Sequence, residues 1–455
     1  MTFPPAEPGL IAQWMTGQRW YTNKGVTPRI EEIGRVAWPT HDDSIQIVTH
    51  LYLDHVEGKP ALYQVPLTYR RDPLPELSPI AEVDGVWIYD APHDVAYSRA
   101  LLEAINAERH DDGNSMSTDA DHSGSLNPSH VTEANVLTGE QSNTSIVIRT
   151  EDGVPVICKV FRALHHGDNP DVELQSALAA AGFKSVPRSF GSISAQWPDS
   201  GRPEGRAQGH LVFAQEFLET ARDGWKVAVS AASNGYDFSP AAYDLGIATA
   251  EMHATLGSTF DLHPMSSADV AHVIAQMRGR LAAAIAEVPS LATLEEPLAH
   301  LLGRAAAAPW PALQRIHGDL HLGQVLDVPG RAWVIVDFEG EPLRPMKERR
   351  RLDSALRDVA GMLRSFDYVG GSLVVTGETH DQAAIDEWVE NCRSAFVRGY
   401  ADARGHDLSA EQAIIDAFEV DKALYETVYE VRNRPHWLPI PIAAITRLST
   451  RAVQS

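Results

Sequence analysis

One short segment of this chain carries the side chains that phosphoryl transfer requires. Asp319 follows an apolar run, Gln324 stands five residues later, and Asp337 ends the next apolar run. Transfer of a phosphoryl group needs a carboxylate that orients the attacking hydroxyl and oxygen ligands for the metal ions that bridge the phosphates. We therefore expect Asp319 to act as the catalytic base, with Gln324 and Asp337 as metal ligands.

Two histidines flank Asp319 at a spacing of four residues, His317 and His321. The residues between them lack a helical pattern, so the spacing does not by itself favour a metal site. We expect His317 to be a scaffold residue whose ring is satisfied by backbone groups and fixes the loop. His321 is assigned to the substrate site, and a role as a metal ligand stays open.

The two apolar runs predict the element that positions these side chains. They are joined by the turn sequence Val328-Pro329-Gly330, which is typical of two short strands connected tightly. A buried hairpin with no chemical role is the alternative. The order of Asp319, Gln324 and Asp337 favours the functional interpretation.

A second candidate group lies upstream, where two β-rich runs at 144–149 and 154–161 predict a hairpin. Lys159 lies in the second run, where an ammonium can pair the nucleotide phosphates as the strand lysine of protein kinases does. The helix predicted at 169–182 offers Glu173 as its ion-pair partner. The small polar loop before the hairpin is a candidate phosphate cradle through Ser142, Asn143 and Thr144. It is no Walker A sequence, so an ordinary loop is the alternative there.

The chain changes character along its length. Strand-like runs and turn signals fill residues 1–108, and residues 109–130 contain almost no large apolar side chain, which predicts a flexible loop or linker. Strand-rich sequence resumes over 131–218, and Ala-rich amphipathic segments dominate 219–455. Helices are predicted at 240–257, 267–287, 291–308, 352–366, 380–403 and 409–431.

Composition limits the partners. Thirty-eight Lys and Arg against 61 Asp and Glu give a net charge of −23, a field that repels nucleic acid and anionic lipid. No run of apolar residues reaches the length of a membrane span, and the amino terminus lacks a signal-peptide pattern. We expect a cytoplasmic protein that acts on small molecules, either as a monomer or as a homodimer.

Several segments together resemble the actinobacterial maltokinases and their glucosamine-kinase relatives, a family of sugar kinases. The segments are 18–21, 139–145, 159–162, 169–174, 317–326, 337–342, 356–366 and 437–441. The resemblance implies an α+β, aminoglycoside-phosphotransferase-like bilobal fold of the eukaryotic-protein-kinase type. It implies an N-terminal cap domain (1–108), an intermediate nucleotide lobe (131–218) and a helical C-terminal lobe (219–455).

The same resemblance implies ATP and Mg²⁺ as cofactors, and it agrees with the roles given to Asp319, Gln324 and Asp337. It also implies that the stretch at 215–218 is the hinge that meets adenine, which adds Gln215 and Phe217 to the nucleotide-binding residues.

The acceptor is the open question. The maltokinases have a basic residue where this chain has Asp327, and Glu339 lies on the neighbouring strand exit. A carboxylate could pair the ammonium of glucosamine, whereas maltose is neutral. Asp327 is equally a common turn residue before Val-Pro-Gly. Further pocket candidates in the helical lobe are Trp225, Tyr425, Glu426, Arg432, Asn433 and Trp437, of which Trp437 is alternatively a packed anchor.

Three hypotheses follow. The preferred one is a kinase that converts glucosamine to glucosamine 6-phosphate, and the runner-up converts maltose to maltose 1-phosphate. A nucleotide-binding pseudokinase regulator is the alternative from another class, and it is disfavoured because the base, the metal ligands and the phosphate lysine are all present. An aminoglycoside-modifying enzyme is disfavoured by the extent of the maltokinase resemblance.

Overall fold

The computed structural model describes residue 3 and residues 7–56, 58, 60–112, 116–123, 131–138, 143–151, 153–331, 333–341, 344–378 and 381–454. The chain divides into two compact units. We call them the N-terminal unit, Met1–Ser176 with Pro187–Glu219, and the C-terminal unit, Ala177–Val186 with Thr220–Ser455. The predicted cap and the predicted nucleotide lobe thus share one unit. The chain enters the C-terminal unit for the second time after residue 219, next to the boundary predicted after residue 218.

The first half of the N-terminal unit is an antiparallel sheet in the order β1-β2-β3-β5-β4. Its strands are β1 (Ile30–Trp38), β2 (Ile45–Asp54), β3 (Ala61–Arg70), β4 (Ala81–Val83) and β5 (Val86–Asp90). Along β2 the side chains alternate between two cores. Val48 and Tyr52 pack with helix α1 (Pro8–Gly17), and Ile47 and Leu51 pack with helix α2 (Val95–Asn106). Both faces of the sheet are therefore buried.

The second sheet of this unit has the order β6-β7-β12-β13-β10-β9-β8. Its strands are β6 (His110–Asp112), β7 (Ser117–His122), β8 (Val131–Val136), β9 (Asn143–Thr150), β10 (Val156–Phe161), β12 (Ser189–Pro198) and β13 (Arg206–Glu216). The short strand β11 (Ala163–Leu164) pairs with β3 of the first sheet. The predicted hairpin is confirmed as β9 and β10, with Lys159 opposite Ser145.

Strands β6 and β7 lie inside the segment 109–130, where we predicted a flexible loop. In this part the prediction was wrong, because β7 gains backbone hydrogen bonds from β12 and buries Met116 and Thr118. Backbone pairing thus orders a strand that has few apolar side chains of its own. Residues 113–115 and 124–130 of the segment lie outside the described residues.

Helix α3 (Pro170–Ala180) follows β11 and begins as predicted. The Asn169 side chain accepts a hydrogen bond from the Asp171 backbone N–H at 2.9 Å, and proline occupies the first helical position. Asparagine at the cap and proline at the first turn are the preferred residues there. This start places Asp171 and Glu173 in the first turn of the helix.

The C-terminal unit is mainly helical. Its helices are α4 (Gly224–Ser233), α5 (Ser239–Thr259), α6 (Ser267–Glu287), α7 (Glu295–Ala307), α8 (Met346–Arg349), α9 (Leu356–Val375), α10 (Gln382–Arg404), α11 (Gln412–Asn433) and α12 (Pro439–Gln454). A small antiparallel sheet interrupts them, consisting of β14 (Arg222–Asp223), β15 (Val325–Asp327) and β16 (Val334–Ile335). The six predicted helical segments correspond to α5, α6, α7, α9, α10 and α11.

Local signals account for these boundaries. Ser266 and Asp269 form a reciprocal capping box at the start of α6. The Asp381 side chain accepts from the Ala384 N–H at the start of α10, and Gly405, at a φ of 75°, ends that helix. Among the described residues, none of the helices combines the length and apolar character needed to cross a bilayer.

Candidate active site

The hairpin of β15 and β16 brings two of the predicted residues into contact. The Gln324 Nε2 lies 3.0 Å from Asp337 Oδ2, and the Val336 N–H donates to the Gln324 carbonyl at 3.0 Å. Pairing of Val325 with Ile335 fixes this register. The sequence prediction that Gln324 and Asp337 meet is therefore confirmed as geometry, and their role as metal ligands stays a prediction.

The Asp337 backbone has a φ of 64°, in the left-handed region that few non-glycine residues adopt. Aspartate tolerates this conformation better than most residues, and such positions are concentrated at functional sites. A carboxylate oxygen of Asp337 and one of Glu339 lie within 4.8 Å of each other. These two carboxylates offer oxygen ligands of the type that Mg²⁺ prefers, so they fit the metal that the resemblance implies.

His317 has the scaffold role predicted for it. Its Nε2 donates to the Val336 carbonyl at 3.0 Å, and its Nδ1 accepts from the Asp319 N–H at 3.3 Å. Both ring nitrogens thus bind backbone groups, one directly after β16 and one on the loop that carries Asp319. The His317 ring is buried and connects the loop that carries Asp319 to the hairpin.

Asp358 of α9 is a structural residue of the site to which the sequence analysis gave no role. Its carboxylate accepts from the backbone N–H groups of His317 and Gly318, each at 2.9 Å, and from His253 Nε2 at 3.0 Å. Burial alone would raise the pKa of Asp358, but the hydrogen bonds from His253 and from the Gly318 backbone hold that pKa below its ordinary value. The Asp358 carboxylate thus anchors the loop that carries Asp319. Gly361 permits this packing, because a Cβ there would lie 2.6 Å from the Leu320 carbonyl oxygen.

The carboxylate of Asp319 meets a lysine from a distant helix. Lys422 Nζ, on α11, lies 3.1 Å from Asp319 Oδ1 and 2.7 Å from Glu341 Oε1. Arg344 Nε lies 2.7 Å from the other Glu341 oxygen. Burial alone would raise the pKa of Glu341, but Lys422 and Arg344 lower it to about 2. The candidate base is therefore one end of a small ionic network.

His321 lies beside the same carboxylate. Its Nδ1 accepts from the Gly323 N–H at 3.0 Å, and its Nε2 lies 3.9 Å from Asp319 Oδ2. Burial lowers the pKa of the His321 ring, with Asp319 opposing that effect. A neutral ring carries its proton on Nε2, because Nδ1 is an acceptor.

A cavity of about 460 Å³ opens beside His321 and Lys422 within the C-terminal unit. Its wall combines aromatic, cationic and anionic side chains. It is lined by Trp225, His321, Gly323, Gly361, Arg364, Ser365, Tyr368, Lys422, Tyr425, Glu426, Tyr429, Glu430, Arg434 and Trp437. Of the predicted pocket residues, Trp225, His321, Tyr425, Glu426 and Trp437 are in this set.

Two glutamates of α11 face this cavity, and each is paired. Arg364 donates to Glu426 through Nε at 3.1 Å and through its terminal nitrogen at 2.6 Å, and both bonds reach Oε2. Glu430 accepts from Arg434 and from the Tyr368 hydroxyl, the latter at 3.1 Å. Burial raises the pKa of Glu426, although Arg364 opposes the shift. Within the part of the chain that the structure describes, these bonds leave Oε1 of Glu426 for a ligand.

Trp437 combines the two roles considered for it. Its ring stacks on Tyr368, with ring centroids 6.3 Å apart, and the Arg434 guanidinium lies 4.8 Å from its centroid. It is packed in place and also forms part of the cavity wall.

Two predicted acceptor residues point elsewhere. Asp327 forms an ion pair with Arg222 on the neighbouring strand, which compensates the carboxylate that was expected to meet a substrate ammonium. Arg432 is 62% exposed at its side chain and pairs with Glu287. Neither belongs to the set of residues that lines the cavity.

In the N-terminal unit, Lys159 begins a chain of buried polar contacts. Its Nζ lies 2.7 Å from Asp171 Oδ2. Gln175 donates to the other Asp171 oxygen and accepts from Gln215 Nε2 at 2.7 Å. The described ion-pair partner is thus Asp171, two residues before the predicted Glu173, which lies half-buried in the same helical turn.

The other predicted nucleotide residues lie around this chain of contacts. Thr144, on β9, accepts from Arg162 Nε at 2.8 Å, and Asn143 starts the same strand. Phe217 follows β13 and donates its N–H to the Pro155 carbonyl at 2.7 Å. Ser142 lies outside the described residues. Nucleotide contacts of these residues remain predictions.

Comparison with known proteins agrees with the resemblance. A family model described as the maltokinase N-terminal cap domain matches residues 14–94. The chain carries this cap domain. The glucosamine kinase of Mycolicibacterium smegmatis is 28% identical over 410 residues, which cover 84% of this chain and 95% of that protein. The glucosamine kinase of Streptacidiphilus jiangxiensis is 29% identical over 327 residues, covering 68% and 72%.

Solved structures give the fold. A glucosamine kinase in complex with glucosamine, ADP and inorganic phosphate superposes with a TM-score of 0.70 at 23% identity, covering 98% of this chain and 99% of that one. A second crystal form of glucosamine kinase gives a TM-score of 0.69 at 24% identity, covering 92% and 93%. The predicted resemblance and fold class are confirmed: the chain has the mixed α and β fold of these kinases, with the cap domain at its N-terminal end.

Proposed function

We propose that this chain is an ATP-dependent sugar kinase that converts glucosamine to glucosamine 6-phosphate. The observation that carries the proposal is the placement of Asp319. The His317 ring holds the Asp319 backbone and Lys422 contacts its carboxylate, and His321 and Lys422 extend from this position to the cavity of about 460 Å³. The glucosamine-kinase relatives support this acceptor over maltose.

Asp319 would act as the base. As the acceptor oxygen bonds to the γ-phosphorus, its proton passes to the Asp319 carboxylate, and the bond from the γ-phosphorus to the bridging oxygen breaks. ADP leaves with that electron pair, so charge and atoms balance. Gln324, Asp337 and Glu339 would hold Mg²⁺, which neutralises charge on the phosphates when it is bound.

The nucleotide would be held by the N-terminal unit through Lys159. The contacts with Asp171, Gln175 and Gln215 keep its ammonium in one position, with 12% of the side chain exposed. An ammonium fixed in this way can pair the phosphates without losing side-chain freedom on binding. Gln215 is buried by the same contacts, so we assign adenine recognition to backbone groups near Phe217.

Glu426 would recognise the amino group of the acceptor. Both bonds from Arg364 reach Oε2, and Oε1 can accept from an ammonium in a buried setting, where a charge-assisted hydrogen bond is strong. Because burial raises the pKa of Glu426, this contact should weaken as the pH falls through that raised value. The aromatic wall of Trp225, Tyr425 and Trp437 would pack on the sugar ring.

A panel of acceptors tests the proposal. ADP release is measured with glucosamine, maltose, glucose and an aminoglycoside, for the natural chain and for Glu426→Gln. We expect glucosamine to have the highest kcat/KM, and Glu426→Gln to raise the KM for glucosamine about 10-fold, since a hydrogen bond to a charged group contributes roughly 1.5–3 kcal/mol. Glucose turnover should change little in the variant.

Other outcomes would contradict the proposal. Turnover of maltose with none of glucosamine would make the chain a maltokinase, the alternative acceptor hypothesis. Nucleotide binding without turnover of any acceptor would favour a pseudokinase. An unchanged KM in Glu426→Gln would remove Glu426 from amine recognition while leaving the kinase reaction in place.

A further inference from the structure

Lys422 contacts the candidate base but takes no part in the proton transfer proposed above. Its ammonium lies between the carboxylates of Asp319 and Glu341, at 3.1 Å and 2.7 Å. Lys422 belongs to α11, more than 100 residues after Asp319 in the chain, so this contact depends on tertiary packing. It joins the candidate base to the wall of the acceptor cavity.

The surroundings hold this ammonium in place. Glu341 is itself fixed by Arg344, and the Tyr425 ring centroid lies 5.8 Å from Lys422 Nζ. The side chain of Lys422 is 25% exposed. Although burial alone would lower the pKa of Lys422, the two carboxylates raise it, so the side chain remains a cation at any pH of interest.

We propose that Lys422 is a positioning residue for Asp319, an inference that rests on the proposed kinase function. Its ammonium holds Oδ1 and thereby presents Oδ2 to the acceptor hydroxyl. Oδ2 lies on the side of His321, whose Nε2 is 3.9 Å away and whose ring lines the cavity. Glu341 holds the ammonium, so the two carboxylates have different tasks: one takes the proton and the other fixes the lysine.

This arrangement explains why a cation stands beside a base. A carboxylate with both oxygens free can rotate about its Cβ–Cγ bond, and small displacements of a reacting group reduce rates strongly, by about 100-fold for 1 Å. Fixing one oxygen removes that freedom without using the other. The contact should therefore affect the rate of the chemical step more than the binding of either substrate.

Steady-state kinetics of three variants test the proposal. Lys422→Met should lower kcat about 30- to 100-fold while the KM values for ATP and glucosamine stay within about threefold, by the same orientation argument. Lys422→Arg keeps a cation and should recover most of the lost kcat. Lys226→Met is the matched control, because Lys226 is an exposed lysine of the same unit, and it should leave both constants unchanged.

A double variant separates positioning from charge balance. If Lys422 served only to neutralise two carboxylates, Lys422→Met combined with Glu341→Gln would restore kcat. The positioning role predicts no recovery, because Oδ1 of Asp319 would still lack its partner. Restoration of kcat in the double variant would overturn the proposal.

Two further results would also overturn it. One is an unchanged kcat in Lys422→Met, and the other is a raised KM for ATP with normal kcat, which would mean that Lys422 binds phosphate. If Lys422→Met proves too unstable to assay, Glu341→Gln decides, with kcat expected to fall about 10-fold at constant KM and an unchanged kcat contradicting the role. Loss of all activity in Asp319→Asn alongside a normal Lys422→Met would refute this inference and leave the kinase function standing.

Discussion

The two units of the molecule each contain a partly buried lysine–aspartate pair, and the pairs are organised differently. In the N-terminal unit, Lys159 Nζ lies 2.7 Å from Asp171, whose second oxygen is occupied by the neutral amide of Gln175. In the C-terminal unit, Lys422 Nζ lies 3.1 Å from Asp319 and is shared with the charged Glu341. The first pair is a lysine held by a carboxylate that also binds a neutral amide. The second is a lysine shared between two carboxylates.

This difference indicates which partner does the chemistry. In the first pair both oxygens of Asp171 accept from side chains of the same unit, so this carboxylate serves to hold Lys159. In the second pair Lys422 contacts two carboxylates and engages Oδ1 of Asp319, which suits the proposed role of Asp319 as the base. Under the proposed function, the same two residue types would serve a phosphate site in one unit and a base in the other.

The first pair can be broken at the lysine. Lys159→Met should lower kcat/KM for ATP about 100-fold, the usual loss when one fixed donor to a developing charge is removed. Asp171→Asn, which keeps Lys159 but weakens its anchor, should lose less, about 10-fold. Both are measured as ADP release at varied ATP, with Lys226→Met as the exposed control. A Lys159→Met chain with normal ATP kinetics would show that this lysine is structural.

The second pair can be probed through the pH dependence of the unfolding free energy, where the expected effect is smaller. The pKa of the Glu341 carboxyl is lowered from an ordinary 4.5 to about 2. Its carboxylate therefore stabilises the folded chain at pH values above about 4.5, and this stabilisation is lost as the pH falls toward 2. The free energy of unfolding should therefore be lower in Glu341→Gln by roughly 2 kcal/mol near neutral pH, and this gap should narrow below about pH 4.5. Urea unfolding between pH 7 and pH 3 measures it.

Glu251→Gln is the control for this pH experiment. Glu251 is an exposed glutamate of α5, and its replacement should change the unfolding free energy little at any pH. A gap for Glu341→Gln that stays constant over the acid range would contradict the electrostatic link between Glu341 and Lys422.

The parts of the site that were predictable from sequence have local causes. Gln324 and Asp337 meet because a two-stranded hairpin with a Pro-Gly turn fixes their register. Lys159 was recognisable within a β-rich run, and the start of α3 followed from Asn169 as its cap. Each inference used only residues that are near one another in sequence, where turn and cap chemistry determines geometry.

The parts that were missed depend on packing between distant segments. Lys422 and Asp358 reach the catalytic loop from α11 and α9, and nothing in their own neighbourhoods specifies that contact. Asp171 was not singled out, although it lies in the same helical turn as the predicted Glu173, because only the orientation of α3 shows that it reaches Lys159. One signal was available: Lys422, Glu426 and Glu430 recur every four residues on a helix that is otherwise largely buried.

The central claim is that Asp319 is the base of a sugar-phosphoryl transfer, and Asp319→Asn tests it most directly. We measure formation of phosphorylated glucosamine together with the affinity for ATP and Mg²⁺ by calorimetry. The account predicts that kcat falls about 1,000-fold or more, within the range for loss of a general base, while nucleotide affinity changes less than about threefold. An Asp319→Asn chain that phosphorylates glucosamine at the rate of the natural chain would contradict it.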